Sequence, residues 1–332
     1  MIIRIKRKTL EQGIIGVFVL FLIISILVGV SFTTNYVGAA NTTNNTVLAR
    51  VNVTNTEPNI TSVVVTPSQI DLTADGTTIV TCNISVFDYN GWQDINPNAT
   101  NATFHIQSVG RDGSTDNNYR YRNESCGVCT QGSGSSTNAT CECKFGLQYY
   151  TNDSSTWICN ATIGDRGGTQ KSGSRLNLTD IDVSSAATVT KLLAINTSTS
   201  LDYGNLSVTE TSAEIVHNVT NAGNINLNLS LRGYGGDNET LGQNVTMICD
   251  LGNITFGNQR YMVGSDRNGT AFADMKNLTN QTVITNSTFP ARTDDAAFGF
   301  DRNSTFWKLQ IPLSVGGLCN GTIIFGAVDA ET

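Results

Sequence analysis

Two stretches of this chain alternate apolar and polar side chains residue by residue, each with a cysteine on the apolar phase. In 78–86, Val80, Cys82, Ile84 and Val86 share one face, and Thr81, Asn83 and Ser85 share the other. In 157–163, Trp157, Cys159, Ala161 and Ile163 share one face, with Asn160 and Thr162 opposite. A period of two is that of a strand with one face buried, and it cannot be sustained on a helix. The pattern returns at Ile225, Leu227, Leu229 and Leu231, at Val245, Met247 and Cys249, and from Cys319 through Gly321, Ile323 and Phe325 to Ala327. No helical period longer than two turns occurs after residue 40. The expectation is therefore an all-β chain.

The residues on the polar phase carry a second message. The chain has 25 Asn-x-Ser/Thr triplets between Asn41 and Asn320 among 36 Asn. Composition alone would give about 7–8, so these triplets are enriched about threefold; each is an N-glycosylation acceptor in an exported protein. Asn83, Asn98, Asn101, Asn123, Asn160, Asn228 and Asn320 are singled out as acceptors, several of them on the outward phase of predicted strands.

The N-terminus agrees with export. Arg4, Lys6, Arg7 and Lys8 precede an apolar run over 13–32, and Val37-Gly38-Ala39-Ala40 offers small residues for signal-peptidase cleavage. The run is long enough to span a bilayer, so a cleaved signal peptide and an uncleaved anchor with its basic end inside both fit. A type IV pilin-like signal, with Lys8-Thr9-Leu10-Glu11 before an assembly helix, lacks the small residue expected before the cut. No second apolar run follows, so the membrane is expected to be met only through the N-terminal segment. Everything after about residue 40 is expected outside the cell, secreted or held on the outer face of the membrane.

Net charge is −7, and four of the 20 basic residues sit in the leader. That excludes nucleic acid and anionic membrane surfaces as natural partners. The eight Cys all follow the leader, an even set that reads as disulfides in an oxidising compartment. The spacing Cys126-x2-Cys129 with Cys141-x-Cys143 would suggest zinc in a cytosolic protein, but here its surroundings are Gly/Ser/Thr-rich. Nested pairing of Cys126 with Cys143 and Cys129 with Cys141 would clip a loop-like middle of about 108–142. Cys249 and Cys319 are the only Cys of the second half and are expected to pair.

The organisation read from these patterns is a leader over 1–40, a glycosylated linker over 41–57, one sandwich over 58–189 and a second over 190–332. A closing strand of the first sandwich is expected near 181–189. Asn221-Ala222-Gly223-Asn224 reads as a hairpin between strands at 215–220 and 225–231. Each half is long enough to bury one core.

The Cys82 and Cys159 strands resemble the B and F strands of an immunoglobulin-like sandwich, where a disulfide joins the two sheets. With Val63-Val64-Val65-Thr66-Pro67, Asp88-Tyr89-Asn90-Gly91-Trp92-Gln93-Asp94-Ile95, Trp157-Ile158-Cys159-Asn160, Asp202-Tyr203-Gly204, Asn221-Ala222-Gly223-Asn224 and Asn320-Gly321-Thr322-Ile323, the chain resembles secreted or membrane-anchored surface proteins of uncultivated, small-genome archaea that carry immunoglobulin-like domains. The resemblance runs from about residue 50 onward. It implies a cell-envelope location and a non-catalytic role, and it supplies no ligand.

Catalytic motifs are sparse. The two His, His105 and His217, fall far apart on predicted strands, and no nucleophile elbow, His-Glu-x-x-His helix or phosphate loop is present. Asp294-Asp295 mimics a hydrolase carboxylate pair but reads more simply as a loop before a strand at 298–300. Asp88, Asn90 and Asp94 on a Gly turn, joined by Asp165, make a candidate calcium site of hard oxygen donors; the competing reading is a turn that bonds its own backbone. A weaker acidic loop lies at Asp112 and Asp116. No cofactor is required. Tyr119, Tyr121, Tyr149, Tyr150 and Trp92 read as core packing or as a sugar-stacking face. The function expected is a structural or adhesive envelope glycoprotein, whose partners are other envelope proteins, surface glycans or further copies of itself. The alternatives are a carbohydrate- or protein-binding receptor module and, remotely, a secreted hydrolase.

Overall fold

The structure is a computed structural model. It describes residues 47–167, 186–264, 267–297, 299 and 301–331. The leader, Asn41, Asn44 and Asn177 therefore lie outside the described residues, as do the first residues of the strand expected at 181–189 and the ends of that expected at 298–300. Among the described residues, no helix is long and apolar enough to cross a membrane. The chain divides into two units, Met1–Val53 and Thr54–Thr332. Of the first, residues 47–53 are described; they lie outside any strand or helix, with Val47, Leu48, Val51 and Val53 exposed.

The second unit is all-β. Its first half forms β1 (Asn59–Thr66), β2 (Gln69–Ile70), β3 (Thr77–Phe87), β4 (Asn101–Ile106), β5 (Arg120–Asn123), β6 (Val128–Gln131), β7 (Asn138–Gln148), β8 (Ser154–Thr162) and β9 (Ala187–Val189). Its second half forms β10 (Ile195–Thr197), β11 (Ile215–Asn221), β12 (Leu227–Gly235), β13 (Met247–Leu251), β14 (Asn253–Ile254), β15 (Gln259–Val263), β16 (Lys276–Asn277), β17 (Val283–Phe289), β18 (Arg302–Leu309) and β19 (Gly316–Asp329).

In the first half one sheet runs β1-β3-β7-β6 and the other β2-β9-β8-β4-β5. Alternation decides what lies between them. Val80, Cys82 and Ile84 of β3 and Cys159 of β8 are fully buried, and the Cys82–Cys159 disulfide joins the two sheets. Trp157 stacks on Phe104 with ring centroids 4.9 Å apart and donates from Nε1 to the Asn152 carbonyl at 3.0 Å. That bond satisfies the one polar atom of a fully buried side chain. β8 departs from simple alternation. Ile158 and Thr162, on its supposedly polar phase, are buried as well.

The middle of this half is not the loop the composition suggests. Residues 138–148 form the eleven-residue β7, paired along its length with β3. Cys141 and Cys143 are fully buried on it. The disulfides Cys126–Cys143 and Cys129–Cys141 thus fasten β6 and the chain before it onto a central strand. Gly and Ser density in 108–136 masked a strand whose own phase, Ala139, Cys141, Cys143, Phe145, Leu147, is apolar throughout.

The second half has sheets β10-β11-β18-β15-β16 and β14-β13-β19-β12-β17. Leu227, Leu229, Leu231, Val219, Tyr261, Phe289 and Trp307 form its core. Fully burying each Leu contributes about 1.5–3 kcal/mol. β11 and β12 belong to different sheets, so Asn221–Asn224 is a crossover and not the expected hairpin. The side chains explain this. Asn221 donates to the carbonyls of Ile225 (2.8 Å) and Phe289 (3.2 Å), and Asn224 to those of Thr151 and Thr190, both at 3.0 Å. A Cβ on Gly223 would overlap the Leu192 carbonyl oxygen, so only glycine fits. The segment does turn, but its bonds run sideways to neighbouring chain and not across a ladder.

The two halves repeat one arrangement. The order β1-β3-β7-β6 is matched by β10-β11-β18-β15, and β8-β4-β5 by β19-β12-β17. β9 beside β8 is matched in place by β13 beside β19, and each pairs only near the start of its neighbour.

Candidate functional site

The predicted acidic group assembles at one end of the first half. β3 ends at Phe87, and the chain turns through Asp88: the Asn90 N–H donates to Asp88 Oδ1 at 2.7 Å and the Gly91 N–H to the Asp88 carbonyl at 3.2 Å. Gly91 has φ +106°, a conformation that favours glycine. A short 3-10 turn, Trp92–Asp94, then leads to Ile95, which bridges to Asp165 just beyond β8. Asp88, Asn90, Asp94 and Asp165 are thereby brought together from two strand ends.

Much of their capacity is already used. The Thr56 N–H donates to Asn90 Oδ1 at 2.6 Å, and Asn55 Nδ2 to Asp165 Oδ2 at 2.8 Å. Oδ2 of Asp88 and Oδ2 of Asp94 are buried without a partner. Burial pushes the Asp88 carboxyl above its ordinary range; the Asn90 N–H pulls it down, and the charges of Asp94 and Asp165 push it further up. Asp94 is raised by burial and then by Asp165, against the lowering pull of Arg166. The two unpaired oxygens are hard donors of the kind calcium takes. Among the described residues, however, no three His, Cys, Asp or Glu side chains are placed to share one ion. The self-bonded turn is what the geometry displays.

The other sequence candidates separate. His105 on β4 and His217 on β11 are buried in different halves. Asp295 accepts from the Tyr150 hydroxyl and from Asn117 Nδ2 (2.7 Å), while Tyr149 donates to Asp301 Oδ2 at 3.1 Å. Asp295, with Asp301, therefore belongs to a polar seam between the halves. Tyr121, Tyr149 and Tyr150 are buried, and Trp92 and Tyr119 pack on the core. Asp112 is exposed and meets Arg111 at 3.6 Å.

A second feature was not found from the sequence. β12 pairs with β19 along Gly321–Asp329, but β13 on the other side pairs only at Asn320, Cys319 and Gly316. From Thr322 onward the far edge of β19 carries no paired strand among the described residues. A groove of about 650 Å³ opens there, with Thr197–Leu201 and Tyr203 on one side and Gly321–Phe325 on the other. His217 lies in its floor, stacked on Phe325 at 4.8 Å and bonded to Thr197 Oγ1 and the Ser198 carbonyl, both at 3.1 Å. Ile323, Phe325 and Ala327 sit on the apolar phase yet are only half-buried. The one hint in the sequence is that Gly316–Val328 contains no charged residue and no proline, the usual guards of an open edge.

The acceptor asparagines form a consistent set. Removing Asn41, Asn44 and Asn177 from the 25 leaves 22 described acceptors, and none is buried. The buried asparagines Asn118, Asn221 and Asn224 all lie outside such triplets. Asn160 is half-exposed, although its Oδ1 is buried. The eight Cys form four disulfides and none is free, which suits an oxidising, extracellular environment.

No protein-family model and no curated protein matches the chain. Among solved structures it is similar to the CsuC–CsuE chaperone–tip adhesion subunit pre-assembly complex of Acinetobacter baumannii Csu pili, at 10% identity, covering 78% of this chain and 96% of that one, with a TM-score of 0.29. It is also similar to the structure described as manganese lipoxygenase of Gaeumannomyces graminis with part of zonadhesin of Komagataella pastoris, at 12% identity, covering 82% and 90%, with a TM-score of 0.17. Scores this low carry no argument about function.

Proposed function

We propose that the chain is a non-catalytic glycoprotein of the cell envelope, structural or adhesive, built from two immunoglobulin-like sandwiches over 58–189 and 190–332. The observation that carries this reading is the division among the asparagines: 22 described acceptors reach the surface, and the buried ones lie outside acceptor triplets. Asparagine is usually exposed, so the division gains its weight from the roughly threefold excess of acceptor triplets, all of the described ones lying within reach of solvent. The disulfide between Cys82 of β3 and Cys159 of β8 supports the immunoglobulin-like reading of the first half, since it links the two sheets at the positions such domains use. Envelope proteins of small-genome archaea are the proposed setting, on the resemblance of the sequence motifs. Brief protease treatment of intact cells tests the location. Peptides from 54–332 should be released while cytoplasmic proteins stay whole; a chain that resists until the cells are broken would contradict it.

A further inference from the structure

We propose that the open edge of β19 is an acceptor for one strand, and that residues 47–53 of a second copy of this chain supply it. The inference deepens the envelope reading by naming a partner, and it rests on that reading only for the compartment in which assembly occurs. Three observations carry it. First, β13 pairs with β19 only as far as Asn320, and from Thr322 onward that edge of β19 has no paired strand among the described residues. Second, that place is apolar and accessible: Ile323, Phe325 and Ala327 are half-buried, and Gly316–Val328 carries no charge or proline to repel an incoming strand. A peptide added there would gain main-chain hydrogen bonds along the edge and pockets for alternate side chains, the two terms that drive strand addition.

Third, the chain contains a segment of matching form. Val47, Ala49, Val51 and Val53 alternate with Leu48, Arg50, Asn52 and Thr54. Val47, Val51 and Val53 are exposed and lie outside any strand. An apolar alternating run left in water is uncommon, because it forgoes about 1.5–3 kcal/mol for each large side chain it fails to bury. Seated in the groove with the valines inward, the segment would turn Asn52, an acceptor asparagine, toward solvent, so a sugar there does not obstruct it.

The test uses the full chain recovered after export. Light scattering and unheated denaturing electrophoresis should show a ladder of oligomers. V51D should collapse the ladder to monomer without changing the circular dichroism spectrum. A synthetic peptide of residues 45–55 should bind the monomeric variant at least tenfold more tightly than the same peptide carrying the V51D change. A native chain that is monomeric at all concentrations, a ladder indifferent to V51D, or equal binding of the two peptides would each overturn the proposal. So would a monomeric native chain that excludes the peptide while V51D admits it, because the segment would then be filling its own groove. A glycosylated monomer on the cell surface would end strand donation and leave the envelope reading standing; a chain without sugar inside the cell would end the envelope reading.

Discussion

Cys249 and Cys319 face each other across β13 and β19, Cα atoms 3.9 Å apart, at the residue pair beyond which β13 soon leaves β19 uncovered. The bond closes a loop of 70 residues, against 12 for Cys129–Cys141. Chain entropy assigns the longer loop about 4 kcal/mol and the shorter about 3 kcal/mol. Replacing Cys249 and Cys319 together by Ser should therefore lower stability in urea by about 1–2 kcal/mol more than replacing Cys129 and Cys141. Equal losses would show that local geometry, not loop length, governs these bonds.

Asp88 should show a pH signature of definite sign. Burial, opposed by the Asn90 N–H and reinforced by Asp94 and Asp165, raises its folded pKa above the ordinary 3.8. An acid raised on folding weakens the native state while ionised, so its contribution to stability improves as pH falls through the folded pKa and levels off below the unfolded one. D88N keeps an acceptor for the Asn90 N–H and removes a buried, unpaired carboxylate oxygen. By removing the buried charge it should raise stability at pH 7 and flatten that part of the pH profile. If calcium bridged Asp88 and Asp94 the sign would invert: D88N would lower the melting temperature, and added calcium would raise that of the unsubstituted chain.

Asn224 should behave as a core residue. It accepts from the Leu192 N–H at 2.7 Å and donates to the carbonyls of Thr151 and Thr190. N224A leaves these buried groups unpaired and should cost about 2–3 kcal/mol. N320Q, on an exposed acceptor, should stay within about 0.5 kcal/mol in sugar-free protein. Chemical denaturation of both variants gives the comparison.

Trp157 is fully buried against Phe104, with Tyr121 at 6.2 Å. W157A should destabilise the first half by about 3–5 kcal/mol through the cavity it leaves. Y89A, at an exposed position, should change stability by under about 0.5 kcal/mol. A similar effect of both would mean that the β3–β8 core is not what holds this half together.

The sequence revealed whatever is written at short range. Val80, Cys82 and Ile84 announced β3 through strict alternation, and their burial follows. Asp88-x-Asn-Gly announced its own turn because those bonds close within three residues. What depends on long-range pairing was hidden. Asn221–Asn224 looks like a hairpin locally, and only the placement of Thr151, Thr190 and Phe289 makes it a crossover. β7 was masked by the Gly-rich residues before it. The edge of β19 is a missing neighbour, and its one trace within the strand is the absence of charge and proline over Gly316–Val328.

Intact-mass measurement of the native protein, before and after glycan removal and before and after reduction, bears most directly on the envelope reading. The expected result is a mass that falls by several glycans on deglycosylation, with eight alkylatable thiols appearing only after reduction. A mass equal to the bare polypeptide, with eight thiols labelled at the outset, would contradict it.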